Sequence, residues 1–256
     1  MLHSKTEFRH FYPLTEFIGI FITAWAIALS YGLQGQFDAN TILLFLSSLG
    51  YYALDHGLDL IRFQNNSLRC YLRAYMALFV LSACVFGAVV FYAGIMESLR
   101  VFMLRFWPTL LIAALYFFVR RKTTQLFLLI KCLLISLGVG FAVSFPFLHP
   151  EILIAPLVCL SNVLVFAFLE RNKDAELGNA NLFHVGFKKN YLVYGLVIVS
   201  AAGIIMQWVF DFKGGFGLAI YAFLSFMILI NETKFRENTY RWWLDALLPV
   251  AFLPLG

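Results

Sequence analysis

Four acidic residues stand in two pairs, each pair spaced one helical turn apart, in a chain that carries little other charge. Asp55 and Asp59 close the stretch Tyr51-Tyr52-Ala53-Leu54-Asp55-His56-Gly57-Leu58-Asp59. Glu170 and Asp174 open Glu170-Arg171-Asn172-Lys173-Asp174-Ala175-Glu176-Leu177-Gly178. Residues i and i+4 share one face of a helix, so each pair would present two carboxylates together. Stacked like charges repel unless a cation or a basic side chain joins them. Two such pairs facing one cavity would suit Mg²⁺, a hard cation that combines a few carboxylates with phosphate oxygens of a substrate. The plainer alternative is that each pair sits in headgroup water beside a nearby base, here Arg62, Arg171 or Lys173.

The segments that must position these acids are apolar. Hydrophobic residues make up 62% of the 256 positions and charged residues 13%, with a mean hydropathy of +0.83. A soluble domain holds about 45–50% apolar and about 25% charged residues, so the solvent of this chain is largely lipid. Backbone polar groups in lipid must be satisfied internally, which leaves helical bundles or closed barrels. The apolar runs are unbroken and too long for barrel strands of roughly 10 residues. They predict an all-α polytopic transmembrane bundle of about nine helices, one domain over 1–256. The expected spans are 14–33, 41–61, 74–95, 101–119, 124–147, 151–169, 190–210, 214–231 and 242–255. The stretch Ile18 to Leu33 follows a polar start without a small-residue cleavage site, and so reads as a first span rather than a signal peptide.

Charge placement gives this map an orientation. With nine spans, fifteen of the nineteen Lys and Arg residues fall on the side of the N-terminus and the even-numbered loops. Arg100, Arg105 and Lys213 fall opposite, and Lys131 lies inside span five. By the positive-inside rule the N-terminus and both acidic pairs are expected on the cytoplasmic side. The net charge of +5 is spread over short loops and is no nucleic-acid footprint. Lys131 either snorkels to the interface through its alkyl stem or faces the interior to hold a phosphate or an acid. Asp245 in the last span raises the same question, with Arg241 one turn away as the ordinary partner. Tyr240, Trp242 and Trp243 suit an interfacial belt. Cys70, Cys84, Cys132 and Cys159 lack CxxC spacing and read as packed thiols, while His56 and His184 read as local hydrogen-bonding groups.

Acidic motifs on the second and sixth of nine helices resemble those of the UbiA superfamily of intramembrane prenyltransferases. The family's first motif, Asn-Asp-x-x-Asp-x-x-x-Asp, lays its last two acids on Asp55 and Asp59, with Tyr51 and Tyr52 at the leading Asn-Asp. Its second, Asp-x-x-x-Asp-x-x-x-Gly-x-x-Thr-Leu, falls on Glu170, Asp174, Gly178, Asn181 and Leu182 without a gap. Lys131 is similar to a basic position early in helix five of such proteins. The likeness is to short, divergent bacterial members, which implies a place in the bacterial inner membrane.

The resemblance implies Mg²⁺-dependent transfer of an isoprenyl group from its diphosphate to an aromatic or lipid acceptor. It assigns Asp55, Asp59, Glu170 and Asp174 to the catalytic site, with Asp55, Asp59 and Asp174 on the metal and Arg62 and Lys131 on the diphosphate. The partners would be an isoprenyl diphosphate, a hydrophobic acceptor and the bilayer. Two other readings stay open. One is a non-catalytic protein on the same scaffold that binds a lipid or a partner. The other is a small transporter using Asp59, Lys131 or Asp245 as a relay, against which stands the lack of Gly/Pro-broken helices in matching positions of two halves.

Overall fold

The computed structural model describes residues 4–34, 37–62, 69–92, 94–120, 122, 124–144, 155–177, 181–184, 186–210, 214–232 and 239–252. Within that set the side chains at 4–16, 59, 61–62, 69–70, 173, 175–177 and 241, with a few others, lie outside the description. The described residues form nine α-helices and no strand. They are α1 (Ser4–Gln34), α2 (Ala39–Arg62), α3 (Arg69–Tyr92), α4 (Ile95–Val119), α5 (Gln125–Ser144), α6 (Ala155–Leu177), α7 (Lys189–Phe210), α8 (Gly215–Ile230) and α9 (Thr239–Leu247). A 3₁₀ turn, Leu248–Phe252, follows α9 directly.

Six of these helices, α1 and α3 to α7, are long and apolar enough to cross a membrane. This is an integral membrane protein. The nine expected elements are present, but three fall short of a full crossing by the same standard. Helix α2 has the length, since 24 residues at 1.5 Å each reach about 36 Å. Its Ser47, Ser48, Asp55, His56 and Asp59 make it too polar. Helix α8 is 16 residues long and α9 only 9. Helix α6 outruns its apolar stretch and continues to Leu177, so Glu170 and Asp174 lie on its last turns.

Each helix packs on the next in chain order, and α9 with its 3₁₀ turn returns to pack on α1. The helices thus form a closed ring, with α1 also touching α5 across it and α6 touching α8. Several contacts depend on small residues, the usual means by which helices approach closely in lipid. A Cβ added at Gly203 of α7 would lie 2.6 Å from the Gly215 carbonyl oxygen of α8, and one at Gly140 of α5 would lie 2.5 Å from the Pro156 nitrogen of α6. The start of α2 is fixed by Asp38, whose carboxylate accepts the Thr41 backbone N–H at 3.1 Å. That N-cap also receives Arg105 of α4 at 3.3 Å, and Arg105 donates to the Tyr31 hydroxyl at 3.1 Å.

The interior is largely apolar and falls into three clusters. Tyr31, Leu43, Phe106, Val143, Val158 and Tyr221 anchor the largest cluster. Val165, Leu196, Leu229 and Leu244 join α6 to α9. Large side chains such as Phe118 and Trp208, 81% and 76% exposed, point outward as a lipid-facing surface should. Two interfacial or packing expectations change. Tyr240 is buried against Phe166, whereas Trp243 is exposed. Cys132 and Cys159 are buried free thiols as expected, but Cys84 is exposed on the outer face of α3; the Cys70 side chain lies outside the described residues.

Candidate functional site

Asp55 and Asp174 lie at the same end of the bundle. Arg120 at the end of α4 reaches Asp55 near the end of α2, so these helices finish together. Helix α5 begins at Gln125, five residues after Arg120, and so starts on that side; the contact of Gly140 with Pro156 starts α6 on the other. Helix α6 therefore ends where α2 does.

The Asp55 carboxylate is held by its surroundings. Arg120 Nη2 lies 3.0 Å from Asp55 Oδ1 and donates to the Asp55 carbonyl oxygen at 3.0 Å. The Tyr116 hydroxyl donates to Oδ2 at 3.3 Å. The side chains of Arg120 and Asp55 are only 9% and 17% exposed. Tyr51 packs its ring on Tyr52, Tyr116 and Phe117, and the guanidinium lies 5.6 Å from the Phe117 ring centroid. Tyr51 thus belongs to an aromatic cluster beside the Asp55–Arg120 pair. His56 stacks on Tyr75. Asp59 and Arg62 continue the same helix, and their side chains lie outside the described residues.

On α6, the second motif closes on itself. Asn181 donates to Asp174 Oδ2 at 2.6 Å and to the Ala167 carbonyl oxygen at 2.8 Å. Its own side-chain oxygen accepts the Phe183 N–H at 2.9 Å. Asn181 is buried and is itself tied to α6 by these bonds. Glu170 is half-buried one turn before Asp174. Arg171, named above as a base for these acids, pairs instead with Glu232 beyond α8 at 3.1 Å and lies 3.8 Å over the Phe168 ring. Lys189 meets the same Glu232 carboxylate at 3.0 Å. Lys131 is half-buried on α5, and His184 is exposed.

Glu232 supplies a pH-sensitive tie at this end. Burial alone would raise its pKa from 4.5, but hydrogen bonds and charges from Lys189 and Arg171 outweigh it and hold the carboxyl below that value. A carboxyl lowered in the folded state stabilises it fully above the unfolded pKa and loses that contribution as pH falls through the folded one. Acidification below pH 4.5 is therefore expected to loosen the α6–α7–α8 corner. Thermal melts of wild type and Glu232→Gln should converge as the pH is lowered; parallel curves would refute this role.

The donor types suit a hard cation, yet the arrangement does not gather them. Among the described residues no group of three or more His, Cys, Asp or Glu side chains is placed to hold a metal ion, so Asp55, Glu170 and Asp174 do not form one. Asp55 is occupied by Arg120 and Tyr116, and Asp174 by Asn181. A cleft lined by Ala39, Asn40, Leu43, Glu97 and Val101 lies at the other end of α2, roughly 22 Å from Asp55 at 1.5 Å per residue.

Two features of this end were not legible as site residues beforehand. Arg120 counted only as a topology charge, and Asn181 only as a motif position. Among the described residues, the most buried carboxylate belongs to neither motif. Asp245 on α9 is 5% exposed, accepts Asn162 Nδ2 at 3.2 Å and is hydrogen-bonded to the Thr23 hydroxyl. Comparison with protein-family models, curated proteins and solved structures finds no match.

Proposed function

We propose that this chain is a UbiA-like intramembrane prenyltransferase, taking an isoprenyl diphosphate at the α2/α6 end of the bundle and transferring its prenyl group to a hydrophobic acceptor. The observation that carries this reading is the meeting of Asp174 with Asn181, which joins two positions of the second motif at the end of the bundle that also bears Asp55. The closed ring of nine helices and the aromatic cluster of Tyr51, Tyr52 and Phe117 support it, since an allylic cation needs apolar walls that exclude water. Mg²⁺ is the expected cofactor and would neutralise the departing diphosphate. Asp55, Asp59 and Asp174 are its proposed ligands, and the first and last of these would exchange Arg120 and Asn181 for the metal. Arg62 and Lys131 remain the proposed diphosphate contacts, and Glu170 the fourth acid of the proposed site. By the positive-inside rule the excess of basic residues supports a cytoplasmic place for this side, and the resemblance to bacterial members supports a bacterial inner membrane.

A second reading, a non-catalytic lipid-binding protein on the same scaffold, is favoured by the engagement of Asp55 and Asp174 with protein donors. One experiment separates the two. Protein in nanodiscs is incubated with geranylgeranyl diphosphate, Mg²⁺ and a panel of aromatic and lipid acceptors, and both binding and pyrophosphate release are followed. Transferase activity predicts release that falls about a hundredfold in Asp174→Asn, the scale for losing one preorganised charged group. Binding without release supports the second reading, and neither binding nor release overturns both.

A further inference from the structure

The corner where α6, α7 and α8 meet carries charges that the proposed transferase site does not use, and what they bind stands independently of that reading. Arg171 lies at the end of the apolar span of α6 and Lys189 opens that of α7, which sets both near the depth of lipid headgroups. Glu232, just beyond α8, accepts Arg171 on one carboxylate oxygen at 3.1 Å and Lys189 on the other at 3.0 Å. The guanidinium and the ammonium also lie 3.8 Å and 5.1 Å from the Phe168 ring centroid.

Two cations on one carboxylate leave a positive charge, and Lys188, exposed next to Lys189, adds a second. The stretches 170–189 and 232–237 together hold six Lys and Arg against five Asp and Glu, so the corner as a whole stays positive. Two of those acids, Glu232 and Asp174, already accept protein donors. A guanidinium carries five N–H donors and an ammonium three, more than Glu232 and the Phe168 carbonyl oxygen use. The Arg171 and Lys189 side chains remain 28% and 36% exposed. The corner can thus take a further anionic acceptor.

An aromatic run leads from these cations to the lipid. Phe168 packs on Phe183, Phe183 on Phe187 and Phe187 on Tyr191, with ring centroids 5.1, 5.2 and 5.9 Å apart. Below it, Tyr191, Tyr194, Val197, Ile198 and Ile205 are exposed along one face of α7. From Tyr191 to Ile205 this stripe runs about 21 Å at 1.5 Å per residue, longer than the ~15 Å that one acyl layer fills in a ~30 Å core. Gly195 lies in the stripe, and a Cβ there meets nothing within 4 Å, which leaves a notch between Tyr191 and Ile198.

A phospholipid with an anionic headgroup fits both features, its phosphate at the cations and its chains on the stripe. Basic pockets between transmembrane helices are a recurring means of holding such headgroups. A zwitterionic headgroup brings its own ammonium, which Lys188 and Lys189 repel. We propose that the α6–α7–α8 corner, through Arg171, Lys188 and Lys189, is a docking surface for an anionic phospholipid whose acyl chains lie along the outward face of α7.

The test is native mass spectrometry of the full chain in detergent, titrated with dioleoylphosphatidylglycerol or dioleoylphosphatidylcholine. The first phosphatidylglycerol should bind at least about fivefold more tightly than phosphatidylcholine, the scale of one basic side chain near a membrane surface. Lys188→Gln alters only an exposed side chain and should weaken phosphatidylglycerol binding about fivefold, as should Lys189→Gln. Lys122→Gln, at an exposed lysine between α4 and α5, should leave the affinity unchanged. Glu232→Gln should tighten phosphatidylglycerol binding, because it removes a competing anion; a purely structural corner predicts no such gain. Equal affinity for the two lipids overturns the proposal, as does binding in Glu232→Gln no tighter than in wild type. So does an equal loss in Lys122→Gln and Lys188→Gln, which would mark a diffuse attraction to the whole basic side. Displacement of the lipid by glycerol phosphate at equal concentration overturns it too, since the corner would then recognise phosphate alone.

Discussion

Replacing Arg120 with alanine is expected to destabilise the protein by about 3–5 kcal/mol, the range for breaking a buried ion pair from one side. The Arg120 and Asp55 side chains are 9% and 17% exposed, so solvent screens the pair weakly. Truncation would strip Asp55 of a charged partner at Oδ1 and its backbone carbonyl of a donor. Removal of both charges should behave differently, because two apolar side chains of similar volume avoid the desolvation that the pair incurs. Thermal unfolding in a single detergent should thus rank wild type and Arg120→Met/Asp55→Leu close together and Arg120→Ala far below. Arg120→Ala at wild-type Tm would show that the pair contributes little. The double variant also bears on function: restored stability with no pyrophosphate release would separate Asp55's structural role from a catalytic one.

The second large effect is steric. At Gly203 any side chain must push α7 from α8, since its Cβ would lie 2.6 Å from the Gly215 carbonyl oxygen and 2.9 Å from the Ala219 nitrogen. Both obstacles are backbone and cannot rotate aside. Gly203→Ala is expected to lose about 1–3 kcal/mol, the usual scale of overpacking, and Gly203→Val more. Gly195 on the same helix is the internal control, because a Cβ there meets nothing within 4 Å. Gly195→Ala should be neutral or stabilising by up to about 1 kcal/mol, as alanine is the better helix former. Melting temperatures of the two alanine variants should move in opposite directions or differ by several degrees; equal values would refute the close α7–α8 contact.

The sequence made the helices legible because the physical signal for them is local. A run of apolar residues long enough for the bilayer needs no knowledge of its neighbours, and the nine expected segments match α1 to α9 to within several residues at most ends. The misses come where another effect competes. Helix α6 runs past its apolar stretch, in part because Asn181 hydrogen-bonds back to Ala167 and Asp174. Helix α9 gives way to a 3₁₀ turn where Gly217 of α8 brings its backbone against the Val250 carbonyl oxygen. Side-chain partnerships were far less legible. Asp245 stood out as an intramembrane acid, with Arg241 as its ordinary partner by spacing; the Arg241 side chain lies outside the described residues. Its observed partners, Thr23 and Asn162, are 222 and 83 residues away in the chain, and no periodicity links them. Arg120 likewise lies 65 residues from Asp55, hidden among charges whose common role is to set topology. The acids of the two motifs could be found from spacing alone, whereas the groups that occupy them could not.

The ring closes between α9 and α1, and this has a consequence for biosynthesis. Helices made early cannot reach their final settings while the last seat is vacant. Between the insertion of α1 and the arrival of α9, Thr23 and the facing side of α6 remain without the carboxylate that joins them. Closing contacts of such sequence separation form late and slowly, and partly assembled chains expose surfaces that attract wrong neighbours. An insertase or chaperone that shelters this gap during translation would therefore affect the yield of this protein more than its final stability.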